Sequence, residues 1–180
     1  MKKIFILLST TLLILGIIFF VPAKKALILT NRKNPSEKVI SVDGYKNGFI
    51  ISYTHSVNKG RVHDFYKSVE NKDPNKGPKN QLKLYQTEFV SYGAGIPEPY
   101  ETVGSVFEVT DDGYFIKNLN RQLPKFIMAV GVIADHSIII GNKVDSDKEI
   151  MLTDYFLPQT SLIFEIKRVS LFDLISNSKI

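Results

Sequence analysis

With 180 residues, 44% of them hydrophobic and 23% charged, the chain has the length for one domain with a substantial core and the composition of a globular protein. It contains no cysteine, which excludes disulfides, thiolate metal sites, thiol nucleophiles and a lipid-modified N-terminal cysteine. The formal charge is +5, two of it from Lys2 and Lys3, and the remaining basic residues are scattered without aromatic interleaving, a pattern that argues against nucleic acid as a partner.

The first 25 residues read as a segment of their own. Met1-Lys2-Lys3 precedes residues 4–21, an apolar run without a charge. As a helix it reaches about 27 Å, close to the hydrocarbon thickness of a bilayer. An uncleaved single-spanning anchor is the leading expectation, with the N-terminus cytoplasmic. The alternative is a cleaved secretory signal ending near Val21-Pro22-Ala23. Either way, residues 26–180 are expected outside the cytoplasm, as a soluble or a tethered domain. Lys24, Lys25, Arg32, Lys33 and Lys38 could lie on anionic headgroups or form a solvated basic face.

From residue 26 the pattern predicts about ten short strands: 26–29, 48–54, 62–69, 82–90, 105–109, 114–117, 126–134, 137–140, 149–155 and 161–169. They are rich in β-branched and aromatic residues and are separated by Gly, Asn, Asp or Pro. Leu162, Phe164 and Ile166 alternate with Glu165 and Lys167, which predicts one buried face. Residues 126–134 are apolar on both faces and are expected to form a central strand. Asp111-Asp112-Gly113 and 134–137 read as hairpin turns. Residues 71–80 read as a mobile loop and 171–175 as a short helix. The expected architecture is all-β: an antiparallel sandwich or partly closed barrel behind one hydrophobic helix.

Two motifs end apolar runs. In the first, Tyr53-Thr54-His55-Ser56-Val57, a two-residue turn at Lys59-Gly60 would set His55 opposite Asp64 and Tyr53 opposite Tyr66. Such a pair would fix the imidazole tautomer, as a catalytic base requires, or simply bridge two strands. Ser56 or Ser91 could add a hydroxyl, although Ser56 should point to the other face and no nucleophile elbow is present. A metal reading would draw on His55, His63, Asp64 and His136, but their spacing matches no metal motif. In the second motif, Ser91-Tyr92-Gly93-Ala94-Gly95-Ile96-Pro97, alternating glycines would allow backbone N–H groups to converge on an anion, or would serve a tight turn alone. The ligand-binding candidates are His55, Ser56, Asp64, Ser91, Tyr92, Gly93 and Gly95. No cofactor is implied.

Residues 49–57, the Asp64-Phe65-Tyr66 segment, residues 89–97, and Gly113-Tyr114-Phe115-Ile116 with the later Arg121 together resemble the bacterial domain-of-unknown-function family DUF1850. The resemblance runs over roughly 26–169. Asp64 stands where the family usually has Glu, a shorter reach for the same charge, and the 71–80 excursion is expanded. The resemblance implies a small exported protein, often encoded beside tripartite (TRAP-type) transporters of the TAXI class, which take up carboxylates and other small solutes. It carries over no catalytic or binding residue.

Three functions are therefore weighed. The first is a membrane-tethered accessory or binding protein with TRAP transporter subunits, a solute receptor or a small anion as partner. The others are an extracytoplasmic hydrolase using His55 and Asp64, and a structural envelope protein.

Overall fold

A computed structural model describes residues 2–73, 75, 77–91, 104–111, 113–131 and 133–180. Helix α1 (Lys2–Phe20) has a mean hydropathy of 2.4 and no buried residue. By length and composition it can cross a bilayer, as an anchor or as a signal sequence.

Twelve strands follow among the described residues: β1 (Lys24–Asn31), β2 (Lys38–Ser41), β3 (Phe49–Thr54), β4 (Arg61–Glu70), β5 (Asn80–Phe89), β6 (Val106–Thr110), β7 (Gly113–Leu123), β8 (Lys125–Ala129), β9 (Ser137–Ile140), β10 (Ile150–Met151), β11 (Ser161–Val169) and β12 (Ser178–Lys179). They form a five-stranded sheet in the order β12-β2-β1-β11-β8 and a seven-stranded sheet in the order β10-β9-β3-β4-β5-β7-β6. All neighbours are antiparallel except β12 with β2. The two sheets pack as a sandwich and do not close into a barrel. An aromatic stack joins them: the Phe126 and Phe164 rings of one sheet are 4.4 Å apart, and Tyr66 of the other lies 4.7 Å from Phe126 and 5.2 Å from Phe49. The alternation expected for β11 is present, with Leu162, Phe164 and Ile166 buried.

Two expectations are corrected. Residues 126–134 do not form a central strand. Among the described residues of this run, the strand is 125–129, the edge strand β8, with Phe126 and Met128 toward the core and Ile127 exposed. Residues 134–137 do not close a hairpin, because β8 and β9 lie in different sheets and the segment crosses between them. The turn after β6 does form a hairpin, with Thr110 paired to Gly113. Residues 71–80 also join paired strands, with Glu70 opposite Asn80.

Three elements carried no strong sequence signal: β2, β12 and helix α2 (Val42–Asn47). Helix α2 is started by Ser41, whose Oγ accepts from the Gly44 N–H at 2.9 Å. At its end, Gly48 adopts φ +80°. A Cβ there would lie 2.6 Å from the Tyr66 carbonyl oxygen, so this position requires glycine. Helix α3 (Leu171–Ser176) has a full capping box, in which Ser170 Oγ accepts from the Asp173 N–H and the Asp173 carboxylate accepts from the Ser170 N–H.

Candidate functional site

The turn between β3 and β4 is longer than two residues, and this resets the register. Thr54 pairs with Arg61, Tyr53 with Val62, Ser52 with His63 and Ile51 with Asp64. His55 is therefore in the turn and not opposite Asp64. The His55 N–H donates to the Gly60 carbonyl at 2.8 Å, and the Lys59 N–H donates to the His55 carbonyl at 3.1 Å. Lys59 takes the left-handed conformation, φ +60°, that closes the turn.

Inside this turn the His55 ring acts as a cap. Its Nδ1 accepts from the backbone N–H of Val57 at 3.3 Å and of Asn58 at 3.4 Å. The neutral ring then carries its proton on Nε2. Lys59 Nζ donates to the Ser56 carbonyl at 2.8 Å. Thr54, His55, Ser56 and Lys59 line a cleft of about 420 Å³ whose opposite wall is Gly131, Ile133, Ala134 and Gln159. Ile133 is 78% exposed, and Val57, next to Ser56 in the turn, is also open to solvent.

The second motif meets this turn where it begins. The Asn58 side-chain amide donates to the Ser91 carbonyl at 3.4 Å. A Cβ on Gly60 would come within 2.8 Å of the Ser91 Cβ. Tyr92, Gly93 and Gly95 lie outside the described residues.

Asp64 faces the core side of β4. Its Oδ1 accepts from Thr87 Oγ1 at 2.8 Å, across the β4–β5 pair, and Tyr53 also hydrogen-bonds to it. Burial raises the carboxyl above its ordinary range, against the opposing hydrogen bonds of Thr87 and Tyr53 and the charge of Arg121. Burial, with the nearby Asp64, pushes the Tyr53 and Tyr66 phenols well up. Two phenols do accompany Asp64, but Tyr66 is paired with Phe49 and not with Tyr53. The Tyr53 ring lies 5.6 Å from the His136 ring, and His136 Nδ1 accepts from the Gly131 N–H at 2.8 Å. These contacts connect Asp64, through Tyr53 and His136, to Gly131 in the wall of the cleft.

A second polar cluster occupies the other face of the same sheet. Ser52 Oγ lies 2.8 Å from His63 Nδ1, and both residues are buried. Glu149 receives hydrogen bonds from Ser137, Arg61 and Ser52. The Ser52 hydroxyl has one proton to give; with Glu149 taking it, Ser52 Oγ accepts from His63 Nδ1–H. Arg61 also donates to the Asp135 carbonyl and to Ser137 Oγ, each at 3.0 Å. Burial works to raise the Glu149 carboxyl, but the donated hydrogen bonds and the guanidinium charge outweigh it and hold it below the usual range. Burial and the Arg61 charge lower the His63 imidazole. Glu149 and Ser137 escaped the sequence reading because only the pairing of β9 with β3 and β10 brings them over Ser52.

Among the described residues, no three His, Asp or Glu side chains gather where they could hold a metal ion. His63 is on the outer face, Asp64 on the inner face and His55 in the turn.

The family model for a domain of unknown function, DUF1850, matches residues 49–146. The chain belongs to the DUF1850 family. The matched region holds the β3–β4 turn, the cluster around Asp64, the second cluster's Ser52, Arg61, His63 and Ser137, and Gly131, Ile133 and Ala134 of the cleft wall, whereas Gln159 and Glu149 come from the segment beyond it. No curated protein and no solved structure matches the chain.

Proposed function

We propose that this DUF1850 protein is a membrane-tethered, extracytoplasmic binding module that serves a TRAP-type solute uptake system of the TAXI class. The cleft at the β3–β4 turn is its contact site. The carrying observation is the separation of that cleft from the apolar helix. Lys24, just after α1, pairs with Val169 at one end of β11, while Gln159 of the cleft precedes Ser161 at the other. A strand of nine residues spans about 27 Å. A body anchored by α1 would hold the cleft that far along the sandwich, clear of the point where the chain leaves the bilayer.

The chemistry of the cleft supports a partner rather than a reaction. Ile133 is an exposed apolar side chain in its wall, and the exposed Val57 follows Ser56 of its lining in the chain, the kind of surface that a protein partner covers. His55 and Lys59 add a polar donor and a cation that suit a carboxylate, on a small solute or on a receptor carrying one. The hydrolase expectation required His55 and Asp64 as a dyad, and the observed register separates them.

Photo-crosslinking in native membranes tests the assignment. A photoreactive residue at Ile133 should give adducts with transporter membrane subunits or the solute receptor, while one at Val106, on the edge strand β6, should not. Adducts with neither class from position 133 would count against the proposal.

A further inference from the structure

We infer that α3 is a second membrane contact, a short foot lying in the headgroup region of the bilayer beside α1; this rests on α1 spanning the membrane. The helix is rotated against the usual amphipathic rule. At about 100° per residue, Leu171, Phe172 and Ile175 share one arc of its surface, and all three are exposed. Leu174, on the other side, packs against the buried cluster of Ala26, Ile28, Ile40 and Val169.

Three further observations make a lipid surface the occupant. First, the apolar arc is continuous with the anchor: the Phe172 ring lies 5.8 Å from Phe19 and 5.4 Å from Phe20, at the last turn of α1. Whatever depth that turn reaches, Phe172 shares it. Second, the acidic side chain of α3 is withdrawn from the arc, since Asp173 caps Ser170 and pairs with Lys38 at 3.0 Å. Third, Lys24 and Arg168 are exposed at the same end of the β1–β11 pair, where cations meet anionic headgroups. An apolar arc flanked by cations and joined to a spanning helix fits the interfacial zone, where such a helix buries its apolar side about 5–10 Å deep. The contact would also restrict how the body tilts on its anchor, and so where the cleft is presented.

The cysteine-free chain allows a direct test on the full-length protein in phosphatidylcholine–phosphatidylglycerol vesicles. An environment-sensitive fluorophore is placed in turn at Ile175→Cys, at Ile14→Cys in α1, and at the exposed Leu157→Cys. The inference expects a blue-shifted emission quenched by brominated lipid at 175 and at 14, and neither effect at 157. Quenching at 14 with a water-like probe at 175 overturns the inference and leaves the anchor intact. Quenching at 175 but not at 14 also overturns the inference, because α3 would then meet lipid without the spanning helix beside it. Quenching at neither position overturns both.

Discussion

Ser52 Oγ and His63 Nδ1 face each other at 2.8 Å across β3 and β4, on the side of the sheet turned away from the aromatic stack. The register that makes this pair is the one that separates His55 from Asp64. It also gives the three residues distinct tasks: His63 locks two strands, Asp64 belongs to the inner face, and His55 shapes a turn at the cleft.

The His63 pair sets an acid limit on stability. Its imidazole is lowered in the folded protein by burial and by Arg61, so between the unfolded value, about 6.5, and the lowered value the unfolded chain binds the extra proton. Stability is then complete above about pH 6.5 and falls as the pH drops through the folded value, by up to about 1.4 kcal/mol per pH unit for each such proton. His136, lowered chiefly by burial, adds in the same direction. His63→Asn keeps a donor near the Nδ1 position and removes the titration. Denaturant melts across this range should show a shallower acid slope for the variant.

Asp64 works with the opposite sign. Its carboxyl is raised in the folded state, so its contribution is complete below the unfolded value, about 3.9, and is lost as the pH rises through the folded value. Asp64→Asn keeps an acceptor for Thr87 and Tyr53 without the charge. At neutral pH it should be as stable as the parent or more so, by on the order of 1 kcal/mol. A large loss of stability in the same melts would instead make the charge a structural requirement.

Much of the architecture is legible in the sequence, because period-2 alternation and glycine or asparagine breaks mark strands wherever one face is buried. Residues 162–166 are the plainest case. What the sequence cannot give is set by non-local pairing. A run apolar on both faces, such as 126–134, looks central, yet only the order of strands shows that β8 ends its sheet and Ile127 faces solvent. The turn at 55–60 looks like a two-residue hairpin, but the His55 ring spends its Nδ1 on two backbone N–H groups and holds a wider loop. That widening moves every pairing in β3 and β4. The meeting of Ser91 with Gly60 and the wall at 131–134 have no local signal.

The Arg61–Glu149 ion pair should be strongly coupled to the sheet. Arg61 spans β3 to reach Ser137 and Glu149, and both partners are about three-quarters buried. Arg61→Leu leaves the Glu149 carboxylate without its cation and should cost about 1–3 kcal/mol. Glu149→Gln should restore part of that in the double variant, read as a coupling free energy from a double-mutant cycle. Additive single effects would contradict the network.

His55 separates turn from cleft. Asparagine caps tight turns with its own side-chain oxygen, so His55→Asn should keep stability within about 0.5 kcal/mol while removing the Nε2 donor. His55→Ala should lose both. If the cleft is the contact site, both variants should weaken crosslinking from position 133, and thermal melts should distinguish them.

The central claim is that the cleft between the β3–β4 turn and the 131–134 segment holds a component of a solute transporter. Quantitative co-purification from native membranes, comparing the parent with Ile133→Asp, tests it most directly, since that exposed side chain lines the cleft and leaves the core untouched. The account predicts enrichment of TRAP-type membrane subunits or their solute receptor with the parent and loss of that enrichment with the variant. A parent protein that enriches neither, or a variant that enriches them equally, would contradict it.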